Sequence, residues 1–345
     1  MKFLKAIPFV LLVSLLVWGC GEEKEEAPPT EAPKAYILNT IASTITVYDT
    51  ETGSVTLDAV SVGQAPNDIK VLDGIAYIVN TLDNSVQLID LKSLTDVGLI
   101  DVGEGTAPEK IAFVGKDKAY VTCNWENSVK VIDLAGRQVV GTIEVGLAPW
   151  GVVVAGDRAF VCNTAAVWDP QKQRMTYGKG TVSVIDVTRD EVMGTVEVGV
   201  NPTEAILDAE GNVVVLCTGN YADVTGSLYL INPSTGDVIA EVDLGTTPGG
   251  VALSPDGLIY VTSPEGLLAF ESGTLRAVHD VSNPLAEFKG GAGLAFDIEG
   301  NGYICVPSWS SDDGRDRLLI MDREGKLAKT VELGSGGGAA LVAIY

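Results

Sequence analysis

The residues that most often carry out chemistry in proteins are scarce in this sequence. His279 is the only histidine among 345 residues, which excludes a metal centre with several histidine ligands and argues against a Ser-His-Asp or Cys-His site. The motifs G-x-S-x-G, H-E-x-x-H and G-x-x-x-x-G-K-[ST] do not occur. We therefore expect no cofactor, no metal site and no catalytic residues. The segment 310–317 is rich in aspartate but lacks the ligand spacing of a calcium-binding EF-hand loop, so we interpret it as a solvated loop.

Aromatic and arginine side chains form the stronger set of candidates. Tryptophan, tyrosine and arginine are enriched where proteins contact ligands and partners, because they combine a large apolar surface with a hydrogen-bond donor. We predict that a ligand-binding site is formed by Trp125, Trp150, Trp168, Arg174, Tyr177, Tyr221, Trp309 and Arg315. The alternative is that the tryptophans only fill the interior and the loops pack on one another.

A third set of candidates would support an enzyme. Glu109, Glu204 and Asn201 lie beside prolines between repeated segments and could point into a common channel. Carboxylates that converge around a metal could activate water, as in lactonase-like enzymes. A metal bound between Glu109 and Glu204 would distinguish this alternative from simple binding.

The elements that position these residues are internal repeats. A short strand ending in glycine, or once in serine, recurs every 37 to 53 residues. The seven copies are AVSVG 59–63, LIDVG 99–103, TIEVG 142–146, TVEVG 195–199, EVDLG 241–245, VHDVS 278–282 and TVELG 330–334. Three further strand-like segments accompany each copy, separated by turn signals such as Asp73-Gly74.

Four short strands repeated seven times predict an all-β fold, a seven-bladed β-propeller of four-stranded antiparallel blades. The first repeat begins at its second strand, AYILN 35–39, and the chain ends on a lone first strand, AALVAI 339–344. The C-terminal strand is therefore expected to complete the N-terminal blade, which closes the ring and removes an open sheet edge.

The same segments carry a family resemblance. A recurring proline, a strand such as AYIVN 76–80 and a strand such as SVQLID 85–90 resemble the repeats of YVTN-repeat propellers, including the YncE-like family. The resemblance covers residues 35–345. The resemblance implies the fold but not the function, because propellers of this kind serve as adhesins, surface-layer modules, binding proteins and enzymes.

The propeller arrangement brings the aromatic candidates together. Trp125, Trp168 and Trp309 fall in loops between second and third strands, and Trp150 falls in a loop between blades. Both loop sets reach the same face of a propeller, where the long segment 164–181 also lies. The sequence therefore predicts an aromatic site on this face.

The remaining chemically active side chains have structural interpretations. Cys123, Cys162, Cys217 and Cys305 lie near the ends of second strands in different blades, and no C-x-x-C pair occurs. Because packed sheets lie about 10 Å apart, we predict buried free thiols rather than disulfides. His279 lies on an outer strand, far from the axis.

The N-terminus predicts export and attachment to a membrane. Lys2 and Lys5 precede a short apolar stretch, and Gly19-Cys20 then follows. This pattern resembles the bacterial lipobox, which implies cleavage before Cys20 and its lipidation; a plain secretory signal is the alternative. We divide the chain into a signal peptide (1–19), an acidic, proline-rich tether (20–34) and the propeller (35–345).

The net charge limits the kinds of partner that this protein can bind. The formal net charge is −23, which disfavours nucleic acid because phosphates would be repelled. We expect a monomeric, non-enzymatic lipoprotein of the bacterial cell envelope, at the outer membrane or the periplasmic face, with the cell surface as an alternative. Its loop face would bind a small molecule, a glycan or a partner protein, and an uncharged, aromatic or sugar-like ligand fits the charge better than a polyanion. A surface adhesion or scaffold module is a further alternative.

Overall fold

The computed structural model describes residues 32–345. The predicted signal peptide, Cys20 and most of the predicted tether lie outside the described residues. Residues 32–345 form thirty β-strands and contain no α-helix. Accordingly, this part of the chain offers no helix with the length and apolar character needed to cross a bilayer.

The strands form seven four-stranded antiparallel sheets and one small hairpin, as the sequence predicts for the seven blades. Blade 1 contains β1 (Lys34–Asn39), β2 (Thr44–Asp49), β3 (Val55–Ser61) and β30 (Ala339–Ile344). Blade 2 contains β4 (Pro66–Leu72), β5 (Ile75–Asn80), β6 (Ser85–Asp90) and β7 (Thr95–Asp101). Blade 3 contains β8 (Pro108–Val114), β9 (Lys118–Cys123), β10 (Ser128–Asp133) and β11 (Gln138–Glu144). Blade 4 contains β12 (Pro149–Ala155), β13 (Arg158–Asn163), β16 (Lys179–Asp186) and β17 (Glu191–Val200), with the hairpin β14 (Ala166–Asp169) and β15 (Arg174–Tyr177) inserted. Blade 5 contains β18 (Pro202–Leu207), β19 (Val213–Cys217), β20 (Ser227–Ile231) and β21 (Val238–Asp243). Blade 6 contains β22 (Val251–Leu253), β23 (Leu258–Ser263), β24 (Gly266–Glu271) and β25 (Ala277–His279). Blade 7 contains β26 (Leu294–Phe296), β27 (Gly302–Val306), β28 (Arg315–Met321) and β29 (Leu327–Ser335).

The hydrophobic core is divided among the spaces between neighbouring blades. Each of the seven spaces holds its own cluster of buried side chains; that between blades 3 and 4, for example, contains Tyr120, Val131, Val161 and Ile185. The second and third strands are buried on both faces, which explains their nearly continuous apolar sequences. The four cysteines lie in these clusters or beside them as buried free thiols, which confirms the prediction.

The C-terminal strand closes the ring, as predicted. β30 pairs antiparallel with β1, with Ile37 opposite Val342 and Tyr36 opposite Ala343. The backbone N–H of Lys34 donates to the carbonyl of Tyr345 at 2.7 Å. The first blade is therefore built from both ends of the described chain, and β1 is paired on both sides, with β2 and β30.

The long segment inserted in blade 4 contains regular structure. Residues 166–177 form a hairpin in which Trp168 lies opposite Met175 and Val167 opposite Thr176. These β-branched and apolar pairs flank the turn segment 170–173, a pattern typical of a hairpin.

A buried aspartate fastens the closing strand to blade 7. The carboxylate of Asp316 accepts backbone N–H groups from Ser308 at 2.7 Å, Gly337 at 2.8 Å, Gly338 at 3.2 Å and Ala339 at 3.0 Å. Only an acceptor with two oxygens can satisfy four donors in this geometry.

We predict that Asp316→Asn lowers the stability of the propeller. The amide NH₂ group would face two of the four N–H donors, leaving buried polar groups unpaired, so the free energy of unfolding should fall by about 2 to 4 kcal/mol. Urea unfolding followed by circular dichroism measures this loss. Asp312→Asn, in the same loop but exposed and paired only with Lys289, is the matched control and should leave the midpoint unchanged. Equal midpoints for Asp316→Asn and wild type would contradict the assigned role.

Candidate functional site

Two sets of loops meet at one end of the propeller, which we call the loop face. One set joins second to third strands, and the other joins the outer strand of one blade to the inner strand of the next. Backbone hydrogen bonds connect them, as from Thr81 N–H to the Ala65 carbonyl and from Thr164 N–H to the Ala148 carbonyl, both at 3.1 Å. These bonds fix the loops to the ends of the inner strands.

A cavity of about 570 Å³ lies on the propeller axis. Its walls are the inner strands β4, β12, β18, β22, β26 and β30, with Lys110 from β8. Thr40, Tyr221 and Trp309 from the loop face complete the lining. The cavity therefore opens on the face that the sequence predicts for a site.

Three charged side chains form a belt around one side of this cavity. The ammonium group of Lys110 lies 2.6 Å from Glu204 Oε1 and 4.0 Å from Asp68 Oδ1. Asp68 also accepts the backbone N–H of Ile111 at 3.0 Å. Burial alone would lower the pKa of Lys110, but Glu204 and Asp68 outweigh that effect and raise it, so the lysine stays charged.

Glycine in blade 4 allows this belt to form. Lys110 belongs to blade 3 and Glu204 to blade 5, so the ion pair crosses blade 4. Gly151 lies on the inner strand between them, and a Cβ atom there would come within 2.7 Å of the Thr203 carbonyl and 2.9 Å of the Glu204 Cα. The absence of a side chain lets β12 and β18 approach closely enough for the lysine to reach the glutamate.

The opposite side of the cavity is a wall of glycines. A Cβ atom at Gly249 would come within 2.1 Å of the Gly291 carbonyl, and one at Gly293 within 2.6 Å of the Ala340 carbonyl. Backbones of blades 6, 7 and 1 are therefore in direct contact near the axis. The inner strands β22 and β26 beside this wall have only three residues each.

Glu109 lies behind the charged side of the cavity and not in its lining. Its carboxylate accepts hydrogen bonds from Asn67 at 2.7 Å and Thr81 at 3.4 Å. Burial raises the pKa of Glu109 to about 7, and the hydrogen bond from Asn67 and the charge of Lys110 only partly oppose this rise. Glu109 and Glu204 thus have different partners. Asn201 is also buried, and its side-chain amide donates a hydrogen bond to the Thr218 hydroxyl at 2.7 Å.

Three of the predicted aromatic residues, Trp150, Tyr221 and Trp309, line the cavity. Tyr221 is presented by a loop in which the side chain of Asn220 accepts three successive backbone N–H groups, and its hydroxyl lies 3.2 Å from the Thr218 hydroxyl. The Trp309 ring lies against Gly338, where the closing strand begins. A fourth residue, Tyr177, contacts the Tyr221 ring edge-on, with 5.4 Å between ring centroids.

The other predicted site residues lie outside the cavity lining. Trp125 and Trp168 are exposed on the loop face, with 68% and 56% of their surfaces accessible. Arg315 lies near Asp313 and Glu332 at 3.9 and 3.8 Å, and Arg174 is exposed on the inserted hairpin. The structure therefore brings together half of the predicted set.

Sequence reasoning missed the charged belt and the glycine wall. Asp68, Lys110 and Glu204 each stand two residues after a proline that begins an inner strand, and Gly151 and Gly250 occupy the same position in other blades. Aligning the repeats at this position would have shown that either a charged residue or a glycine occupies it in five successive blades. The sequence analysis singled out Glu204 alone from this ring.

We also considered metal sites and the single histidine outside the cavity. Within residues 32–345, no group of three or more His, Cys, Asp or Glu side chains is arranged to hold a metal ion. His279 lies on the outer strand β25, where its Nδ1 is 3.1 Å from the Asn283 carbonyl oxygen.

Comparisons with known proteins identify the fold. No family model matches the chain, and no curated protein matches it in sequence. Hydrazine synthase of Kuenenia stuttgartiensis is similar in structure with a TM-score of 0.57 and 20% identity, over 74% of this chain and 76% of that chain. A quinonprotein alcohol dehydrogenase-like protein of Bacteroides thetaiotaomicron has a TM-score of 0.62 and 17% identity, over 88% of this chain and 76% of that chain. The dihydro-heme d1 dehydrogenase NirN has a TM-score of 0.57 and 12% identity, over 93% of this chain and 76% of that chain.

This chain is a β-propeller. At 20% identity or less, these similarities show the fold alone, and the resemblance to YVTN-repeat and YncE-like proteins is supported no further than the propeller itself. The neighbours do correct one expectation. The sequence analysis predicted that the protein is not an enzyme, but enzymes such as hydrazine synthase and NirN share its architecture. The prediction, which rested on the lack of catalytic motifs and on the single histidine, was wrong, because the same scaffold carries catalysis in other proteins.

We predict that Glu109 makes stability fall as pH rises through the neutral range. Its folded-state pKa of about 7 exceeds its ordinary value of 4.5, so the folded protein holds this proton more tightly than the unfolded chain does. The contribution is fully present below pH 4.5 and is lost as pH rises to about 7, by up to about 3 kcal/mol at about 1.4 kcal/mol per pKa unit. Glu109→Gln should remove this slope in urea unfolding measured between pH 5 and pH 8.

Glu126→Gln provides the control for this measurement. The hydrogen bond from Lys130 lowers the pKa of Glu126, so its contribution changes only below about pH 4.5. An unchanged slope between pH 5 and pH 8 is therefore expected for Glu126→Gln. The same unchanged slope in Glu109→Gln would contradict the assignment.

Proposed function

We propose that this protein binds a small molecule in the axial cavity, at its opening on the loop face. The observation that carries the proposal is the combination of buried charges and aromatic rings around one cavity: Lys110 and Glu204 on its wall, and Trp150, Tyr221 and Trp309 in its lining. Buried ionic groups with few partners are retained in binding sites because they orient a ligand, while aromatic rings supply contact area. A cavity of about 570 Å³ falls within the range of small-molecule sites.

Binding at this site should be visible in tryptophan fluorescence. Trp150 and Trp309 line the cavity, so a bound ligand should change their emission when the protein is titrated with a library of metabolites and glycans. Trp150→Ala should weaken binding by about fivefold or more, because an aromatic contact of this kind contributes about 1 to 3 kcal/mol. Trp125→Ala is the control, since Trp125 lies on the same face but outside the lining.

The outcome that would overturn the proposal is specific. If ligands bind with equal affinity to wild type and to Trp150→Ala, the axial cavity is not their site. If Trp125→Ala weakens binding more than Trp150→Ala does, the exposed loop face and not the cavity is the binding surface.

We further propose that the propeller is held at a bacterial envelope membrane by lipid on Cys20. The sequence Gly19-Cys20 after an apolar stretch supports this attachment. β1 runs from Lys34 to Asn39 and ends at the loop face, so the chain enters the propeller on the opposite face.

Cell fractionation tests the anchor. The wild-type protein, produced as the full chain in a bacterium that processes lipoproteins, should be found with the membranes, and Cys20→Ser should lose lipid and membrane association. Membrane association that is unchanged in Cys20→Ser would contradict lipid attachment at this residue.

A further inference from the structure

The ligand class follows from the balance of charges and hydrogen-bonding groups in the axial cavity. This inference rests on the proposed function. We propose that the cavity recognises a neutral, polyhydroxylated ring, which is the chemistry of a sugar or a cyclic polyol. Three properties of the lining support a neutral polyol over a charged metabolite.

The first property is that the charged groups of the lining compensate one another. The carboxylates of Asp68 and Glu204 are matched by the ammonium groups of Lys110 and Lys70, and Lys70 lies 3.9 Å from Asp68. Glu109 lies behind the wall and outside the lining, where it accepts hydrogen bonds from Asn67 and Thr81. A charged ligand would enter with no unmatched opposite charge to receive it, and burying an uncompensated charge is costly.

The second property is that donors and acceptors are available side by side. Lys110 has three N–H donors, of which Glu204 Oε1 at 2.6 Å takes one, and Asp68 at 4.0 Å is beyond hydrogen-bond distance. Glu204 has a second oxygen, and its side chain is 27% exposed. A hydroxyl group both donates and accepts, so neighbouring hydroxyls on one ring can satisfy both side chains.

The third property is the shape of the cavity. Trp150 and Tyr221 supply aromatic surface beside the charged belt, and the C–H face of a sugar ring packs well on such surfaces. Across the cavity, Gly249, Gly250 and Gly293 carry no side chains, which leaves a flat backbone wall. A ring fits between an aromatic side and a flat side, with its hydroxyls directed at the belt.

The experiment is a titration of the full propeller with matched sugars, by tryptophan fluorescence and calorimetry. The probes are the neutral compounds glucose, galactose, mannose and inositol, and the charged analogues glucosamine and glucuronate. At least one neutral probe should bind at least tenfold more tightly than its charged analogues. Its affinity should change less than twofold between 50 and 500 mM salt, because screening acts on charged ligands.

A single substitution tests the hydrogen-bonding part of the inference. Glu204→Gln keeps the shape of the side chain but replaces an acceptor of the belt with a donor, so affinity for the neutral probe should fall about five- to tenfold, the loss of one hydrogen bond. Glu144→Gln, on the exposed outer strand β11, is the matched control and should bind as wild type does. Circular dichroism shows that both variants are folded, and unchanged affinity in folded Glu204→Gln would overturn the assigned contact.

The failure of this inference is distinguishable from failure of the proposed function. If charged metabolites bind and Trp150→Ala abolishes their binding, while no neutral sugar binds, the cavity is the site but its ligand is not a polyol. If neutral sugars bind equally well to wild type and to Trp150→Ala, the cavity itself is the wrong site.

Discussion

The structure depends on the pairing of β30 with β1, which forces seven blades to share one axis. Each blade buries its apolar faces only against its two neighbours, so a ring with a gap would expose two faces at once. Asp316 fixes this closure, because its two oxygens satisfy the backbone where the closing strand leaves blade 7. One interaction between the two ends of the propeller domain therefore keeps all seven interblade clusters buried.

Ring closure also brings the inner strands close together, and the types of residue on these strands differ between the two sides of the axis. Blades 6, 7 and 1 use glycine and alanine, so their backbones come into direct contact. Blades 2, 3 and 5 place Asp68, Lys110 and Glu204 at the same level, and the space above Gly151 is crossed by an ion pair. The asymmetry turns what could be a packed axis into a cavity with one charged wall and one flat wall.

The functional conclusion follows from this cavity and not from the fold. Propellers of similar architecture include hydrazine synthase and NirN, so the scaffold alone is compatible with quite different chemistry. What distinguishes this chain is the set of side chains at its axis. The aromatic residues Trp150, Tyr221 and Trp309 supply apolar contact, while the belt supplies donors and acceptors whose charges are balanced by Lys70.

The sequence alone determined the architecture, since seven copies of the same strand pattern agree and errors in one copy are corrected by the others. It also identified the loop face and the aromatic residues there. It could not show that Trp150 and Trp309 line a cavity while Trp125 and Trp168 do not, because the sequence places all four in loops that reach the same face, whereas the structure places Trp150 in β12 and Trp168 in β14. Only the tertiary structure brought Lys110 to Glu204, which lies 94 positions further along the chain. Contacts across the axis join residues from blades that are not neighbours, and a repeat pattern specifies each blade but not which side chains meet at the centre.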